Sequence, residues 1–168
     1  METFHDGDHR ENANMVVTEA NALDVPRLVE LLGLLFTQEA EFEPDPDRQE
    51  RGVRAIMEHP SVGQILVLRD EDGIVEGMVN LLFTVSTALG GRVALLEDMI
   101  VEPEYRSAGN GSMLLNAAIL AARAAGCLRV TLLTDRGNHA AEEFYLRHGF
   151  IRSTMMPMRL ALETNFED

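Results

Sequence analysis

Cysteine is nearly absent from this chain of 168 residues: Cys127 stands alone, which excludes an intrachain disulfide and fits a reducing, cytoplasmic setting. No Cys/His cluster has the spacing of a zinc site, and His5 and His9 are too few for one, so no metal is expected. Positive charge is scarce as well. With 14 basic residues against 28 acidic ones the net charge is −14, a field that repels nucleic acid and anionic membranes and attracts cations. A small cationic substrate suits that field, and so does plain solubility. A long apolar run is also missing: the longest, residues 113–125, is broken by Asn116 and Arg123 and falls short of the roughly 20 residues that span a bilayer. The opening METFHDGDHREN has neither the basic start nor the apolar stretch of a secretory signal, and reads as a disordered tail over residues 1–13.

What is present is enough apolar material, 46% of the residues, to build the core of one domain over residues 14–168. Residues 15–20 read as a strand, followed by Asp24 as N-cap and a helix with Leu28, Leu31, Leu32 and Leu35 on one face. Next comes an acidic loop carrying Glu39, Glu41, Glu43, Asp45 and Asp47, then a capping box of Asp47 and Glu50 that opens a second helix over residues 48–58. Asp72-Gly73 and Gly90-Gly91 separate three β-rich runs, residues 65–69, 74–86 and 92–101, as an antiparallel meander would. Leu114, Leu115, Ala118, Ile119 and Ala122 repeat with helical period up to a C-terminal Gly126. Residues 127–134 are apolar and β-prone, which predicts a buried central strand parallel to its predecessor. Asn138 caps a short helix ending at Gly149, and residues 150–153 and 158–162 supply closing strands, with Pro157 favouring an edge. The order predicts an α/β fold: a mixed, mostly antiparallel sheet with a central parallel pair, flanked by helices.

Two blocks of residues carry chemistry. Arg106-x-x-Gly109-x-Gly111 lies between a strand and a helix, where glycine is otherwise costly. It is neither a dinucleotide fingerprint, because Leu114 stands where a third glycine belongs, nor a P-loop, because no Gly-Lys-Ser/Thr follows. The second block, NHAAEEFYLRHGF, follows the next strand. In register, LLEDMIVEPEYRSAGNGSMLL and this second block resemble the GNAT family of N-acetyltransferases, matching its Gln/Arg-x-x-Gly-x-Gly/Ala and Asn-x-x-Ala-x-x-x-Tyr-x-x-x-Gly-Phe patterns. The resemblance implies the acyl-CoA N-acyltransferase fold and acetyl-CoA-dependent transfer to an amine. Two positions depart from it: Ser107 stands in a slot that is usually glycine, and Asn110 in one that is usually aliphatic.

On that resemblance, the backbone N–H groups of Ser107, Ala108, Gly109, Asn110, Gly111 and Ser112 would hold the pyrophosphate of coenzyme A at a helix N-terminus, with Arg106 adding a charged contact. Met99, Ile100 and Val101 would bind the pantetheine arm through their backbone, the Val101 N–H polarising the thioester carbonyl. Acetyl transfer needs a neutral amine, and an alkylammonium titrates near 10.4, so a base is required. Glu97 and Asp98 precede the cofactor turn, and adjacent strand residues face opposite sides, so one alone of the two points into a given cleft. The Leu-Glu-Asp triplet is similar to that of polyamine and amino-sugar acetyltransferases, which favours Glu97 as anchor or base, with Asp98 second. Tyr145 matches the family's general acid for the departing thiolate, and Asn138 serves as both cap and cofactor contact. Cys127, His139 and His148 read as packed or helix-end residues. The acidic loop suits a polycationic or lysine-like amine, and the methionines 155, 156 and 158 suit adaptable core or a homodimer seam. The reading is a small-molecule amine acetyltransferase, with no nucleic-acid or membrane partner; the alternative is a non-catalytic acyl-CoA-sensing or partner-binding module.

Overall fold

Burial on both faces builds the sheet. On β2 (Gly63–Arg69) Ile65 and Val67 face one way and Leu66 and Leu68 the other, and all four are buried. In the computed structural model, which describes residues 14–38 and 42–162, β2 pairs antiparallel with β1 (Val16–Glu19) and with β3 (Val75–Ser86). β3 pairs antiparallel with β4 (Gly91–Val101), and β5 (Val130–Leu132) adds in parallel to β4 over residues 94–96. The strands therefore run β1-β2-β3-β4-β5, the mixed α/β sheet expected. The first hairpin turns where the Asp70 carboxylate accepts from the N–H groups of Asp72 and Ile74, and Gly73 takes a φ of 81° open to glycine.

Two helices cover one face of the sheet and a third packs on β2, β3 and β4. α1 (Val25–Gln38) and α2 (Pro46–Met57) bring Leu28, Leu31, Leu32 and Val53 against Ile65, Val67, Met78 and Ile100. α3 (Asn110–Ala124) buries Leu114, Leu115, Ala118 and Ala122. Complete burial of one leucine contributes roughly 1.5–3 kcal/mol, so Leu114 and Leu115 hold the start of α3 firmly. Packing divides the chain into two compact units, Met1–Asp135 and Arg136–Asp168. The second contains α4 (His139–Arg147), which Asn138 caps by accepting from the Ala141 N–H at 3.1 Å.

Several local expectations are corrected. Asp24 does not cap α1. Asn21 caps a 3-10 turn (Ala22–Asp24) ahead of it, while Asp24 accepts from the Asn21 N–H and forms a bidentate pair with Arg69 at 2.6 and 2.9 Å. α2 starts at Pro46 because Asp45, not Asp47, accepts from the Arg48 N–H; proline is tolerated in a first turn, whose N–H groups have no intrahelical acceptor. The strand expected over residues 127–134 shrinks to three residues, half-buried or exposed, since among the described residues no strand pairs on its outer edge. Among the described residues β5 pairs with β4, which gives the parallel pair of the sheet. Residues 150–153 and 158–162 form no strands: with no pairing partner among the described residues, β-prone composition alone gives no ladder. The tail at residues 1–13, with His5 and His9, and Glu39 and Glu41 of the acidic loop, lie outside the described residues.

Candidate active site

The chain leaves β4 at Val101 and reaches α3 through a 3-10 turn (Pro103–Tyr105) and the glycine motif. Two side chains fix that path: Arg106 Nε donates to the Val101 carbonyl at 2.8 Å, and Asn110 Nδ2 donates to the Tyr105 carbonyl at 2.9 Å. Asn110, buried, is thus a brace for the turn. Gly109 caps α3 with a φ of 84°, a conformation that L side chains resist. The amides of the first helical turn have no acceptor within the helix, and the helix dipole adds partial positive charge, so the turn is chemically suited to a phosphate group. Ser107, Ala108 and Gly109 are exposed there. Ser107 has a φ of 69°, a left-handed conformation that costs a non-glycine residue about 1 kcal/mol or more. Arg27 of α1 steadies the strand ends behind the turn, donating to the Val75 carbonyl at 2.9 Å, to Glu76 at 3.1 Å and to Glu102 at 2.8 Å.

Upstream, β4 departs from regular pairing. Met78 faces Ile100 and Asn80 faces Glu97, so Asp98 and Met99 together oppose Val79 in a β-bulge. Asp98 has a φ of 51°, which aspartate tolerates better than most side chains. Beside the bulge, a Cβ at Gly77 would come within 2.9 Å of the Ile100 carbonyl, so glycine is what lets β3 approach β4 here. The bulge breaks the strict alternation by which one alone of Glu97 and Asp98 would face a given cleft. Asp98 lines a cavity of 410 Å³ together with Leu32, Phe36, Gln49, Val53 and Asn80, and Glu97 is not among its lining residues. Asn80 Nδ2 donates to Asp98 Oδ2 at 2.6 Å.

Electrostatics set these carboxyls apart from ordinary ones. Burial pushes the Asp98 carboxyl above the usual aspartate range, and the Asn80 amide draws it only part of the way back. The Glu97 carboxyl is raised too, first by burial and then by the neighbouring Asp98 charge. The Cys127 thiol is raised by burial, with Arg92 opposing, which makes it a poor nucleophile. Among the described residues no group of three His, Cys, Asp or Glu side chains could hold a metal ion.

In the second unit, Tyr145 is half-buried on α4, its ring edge-on to Phe144 at 5.2 Å and to Phe150 at 5.6 Å. Burial raises its phenol above the ordinary tyrosine value, so it is protonated at neutral pH. His148 turns its Nδ1 to the Phe144 carbonyl at 2.7 Å and lies tilted against that ring, a helix-end arrangement.

The model of the acetyltransferase (GNAT) family matches residues 25–150, a span that holds the cavity, the bulge, the glycine turn and α4. The chain belongs to the GNAT acetyltransferase family. Among relatives of this GNAT chain, an uncharacterized N-acetyltransferase of Bacillus subtilis (strain 168), YhfO, is 32% identical over 124 residues, covering 71% of this chain and 81% of that one. An integron cassette protein, HFX_CASS3, from the mobile metagenome of Cole Harbour Salt Marsh superposes with a TM-score of 0.76 at 28% identity, over 88% of this chain and 90% of that one. A possible acetyltransferase from Clostridium difficile 630 reaches a TM-score of 0.79 over 89% and 98% of the two chains; at 17% identity it speaks for the fold alone.

Two residues of this GNAT site carry no sequence motif. Gln49 and Asn80 are 7% and 2% exposed, and Gln49 Oε1, Gln49 Nε2 and Asn80 Oδ1 are buried without a hydrogen-bond partner among the described residues. The signal that finds them is a polar residue at an apolar position: Gln49 shares the inner face of α2 with Val53 and Ile56, and Asn80 interrupts the apolar run of β3.

Proposed function

We propose that this acetyltransferase moves an acetyl group from acetyl-CoA to the primary amine of a small substrate, by direct attack in a ternary complex without a covalent enzyme intermediate. The observation that carries the reading is the Asp98 carboxyl, raised in basicity, in the wall of a cavity on the strand that runs into the glycine turn. Asp98, rather than Glu97, accepts the proton of the acceptor ammonium, directly or through one water, as the amine nitrogen bonds to the acetyl carbon. Tyr145 supplies a proton to the departing sulfur as the C–S bond breaks. Glu97 supports Asp98 by its charge. The amides at residues 107–112 and the Arg106 guanidinium hold the pyrophosphate, Asn138 adds a contact, and the backbone of Met99, Ile100 and Val101 holds the pantetheine arm and polarises the thioester carbonyl. The setting is cytoplasmic and the assembly a homodimer, favoured by the exposed apolar residues 151–162.

Free-thiol release from acetyl-CoA over a panel of amines tests the reading. Amine-dependent release is expected; its absence across aliphatic, aromatic, amino-sugar and peptide amines overturns it. A second reading, a non-catalytic acyl-CoA-sensing module, draws on the left-handed Ser107 in the turn. Tight coenzyme A binding by calorimetry with no transfer would favour it.

A further inference from the structure

The cavity beside Asp98 is more than a seat for an ammonium group. Its lining includes apolar Leu32, Phe36 and Val53, yet it also contains an entire carboxamide, Gln49, whose donor and acceptor are both buried and without a partner among the described residues. Next to it Asn80 offers a second unpartnered acceptor, its amide nitrogen being occupied by Asp98. Buried polar atoms are nearly always paired in proteins, so three such atoms in one cavity mark a place where something else pairs them. A water could meet one or two of them. A carboxamide meets the Gln49 pair best, because its own N–H and C=O present the complementary pattern.

We propose that the acceptor is an apolar amine that also carries a carboxamide or peptide-like amide, and that Gln49 reads this amide while Asn80 Oδ1 and Asp98 receive the ammonium. This rests on the amine-acetyltransferase reading above and narrows its substrate class. Besides Asp98 the cavity is lined by two more carboxylates, Glu43 and Asp45, of which Asp45 caps α2 and pairs with Arg48.

The test compares phenylalaninamide with phenethylamine and with a diamine of similar length. It uses thiol release for turnover and calorimetry on the coenzyme A-loaded protein for binding. Phenylalaninamide is expected to bind and to show kcat/KM about tenfold or more above phenethylamine, the discrimination typical of a site built to hydrogen-bond a polar group. In Gln49→Leu that preference collapses towards unity, through KM rather than kcat, while Tm stays level or rises because no unpaired amide is left buried. Gln49→Met serves as a second apolar replacement should the leucine variant fold poorly. Equal preference in wild type and both variants, or a lower Tm in both, overturns the inference, since Gln49 would then have a structural partner. Amide-selective binding without turnover of any amine sinks the catalytic reading and leaves the site standing; turnover of amines without amide selectivity does the reverse.

Discussion

Residue identity at Asp98 separates chemistry from stability. Burial raises its carboxyl, so the folded state holds the proton more tightly than the unfolded chain does. Its contribution to stability is therefore present below the unfolded value near 3.9 and is lost as pH rises through the raised folded value. At neutral pH the ionised carboxylate is a local liability. Asp98→Asn removes it while keeping a side chain suited to the φ of 51° and an oxygen for the Asn80 amide. The expected outcome is a Tm at pH 7 equal to or above wild type, with kcat/KM down by about 10²–10⁴. The acidic limb of the wild-type pH profile should lie above the ordinary aspartate range and vanish in the variant. A wild-type rate in Asp98→Asn, or full loss in Glu97→Gln alone, would return the base to Glu97. The sequence made the carboxyl pair legible and its resemblance favoured Glu97, whereas the bulge, where the rule that strand neighbours face opposite sides fails, leaves Asp98 lining the cavity. Gln49 and Asn80 carry no motif; each is a polar residue at an apolar position, a signal that burial makes plain.

Among the elements, those set by repeating patterns are legible and those set by a single partner are not. The meander and α3 follow from glycine turns and helical period. The starts of α1 and α2 turn on which of several nearby Asp and Asn side chains caps, and ahead of α1 that choice is made by a tertiary contact. Asp24 is the example: it is withdrawn from capping α1 by Arg69 on β2, at 2.6 Å with both side chains largely buried. Burial alone would raise the Asp24 carboxyl, but the Arg69 hydrogen bond, the Asn21 N–H and the Arg69 charge together hold it below its usual value. The contribution is thus present above the unfolded value and lost as pH falls through the lowered one. Arg69→Met, which leaves that carboxylate buried and unpaired, should cost about 3–5 kcal/mol at pH 7 in denaturant unfolding, and less as pH falls and Asp24 protonates. A loss under 1 kcal/mol at pH 7 would show that the pair ties nothing down.

For the whole molecule, the sheet order was legible as far as β5, and the end of the chain was not. Residues 156–162 alternate Met156, Met158, Leu160 and Leu162 as a strand should, which is why closing strands were expected, yet these four side chains are 69%, 92%, 85% and 80% exposed. Pattern describes what a segment can pair with, whereas formation of a strand needs the pairing partner itself. We propose that a second copy covers this apolar row. Charge opposes it: each copy carries −14, so two copies repel at low ionic strength and the repulsion fades as the screening length drops to about 8 Å at physiological salt. Sedimentation is therefore expected to show a dimer that tightens as salt is raised. Met158→Glu with Leu160→Glu, at positions exposed in a single copy, should yield a monomer whose circular dichroism spectrum retains the helical and sheet signals of wild type. A wild-type monomer at every salt and protein concentration, or a dimer that survives both glutamates, would mean that these side chains are not the seam.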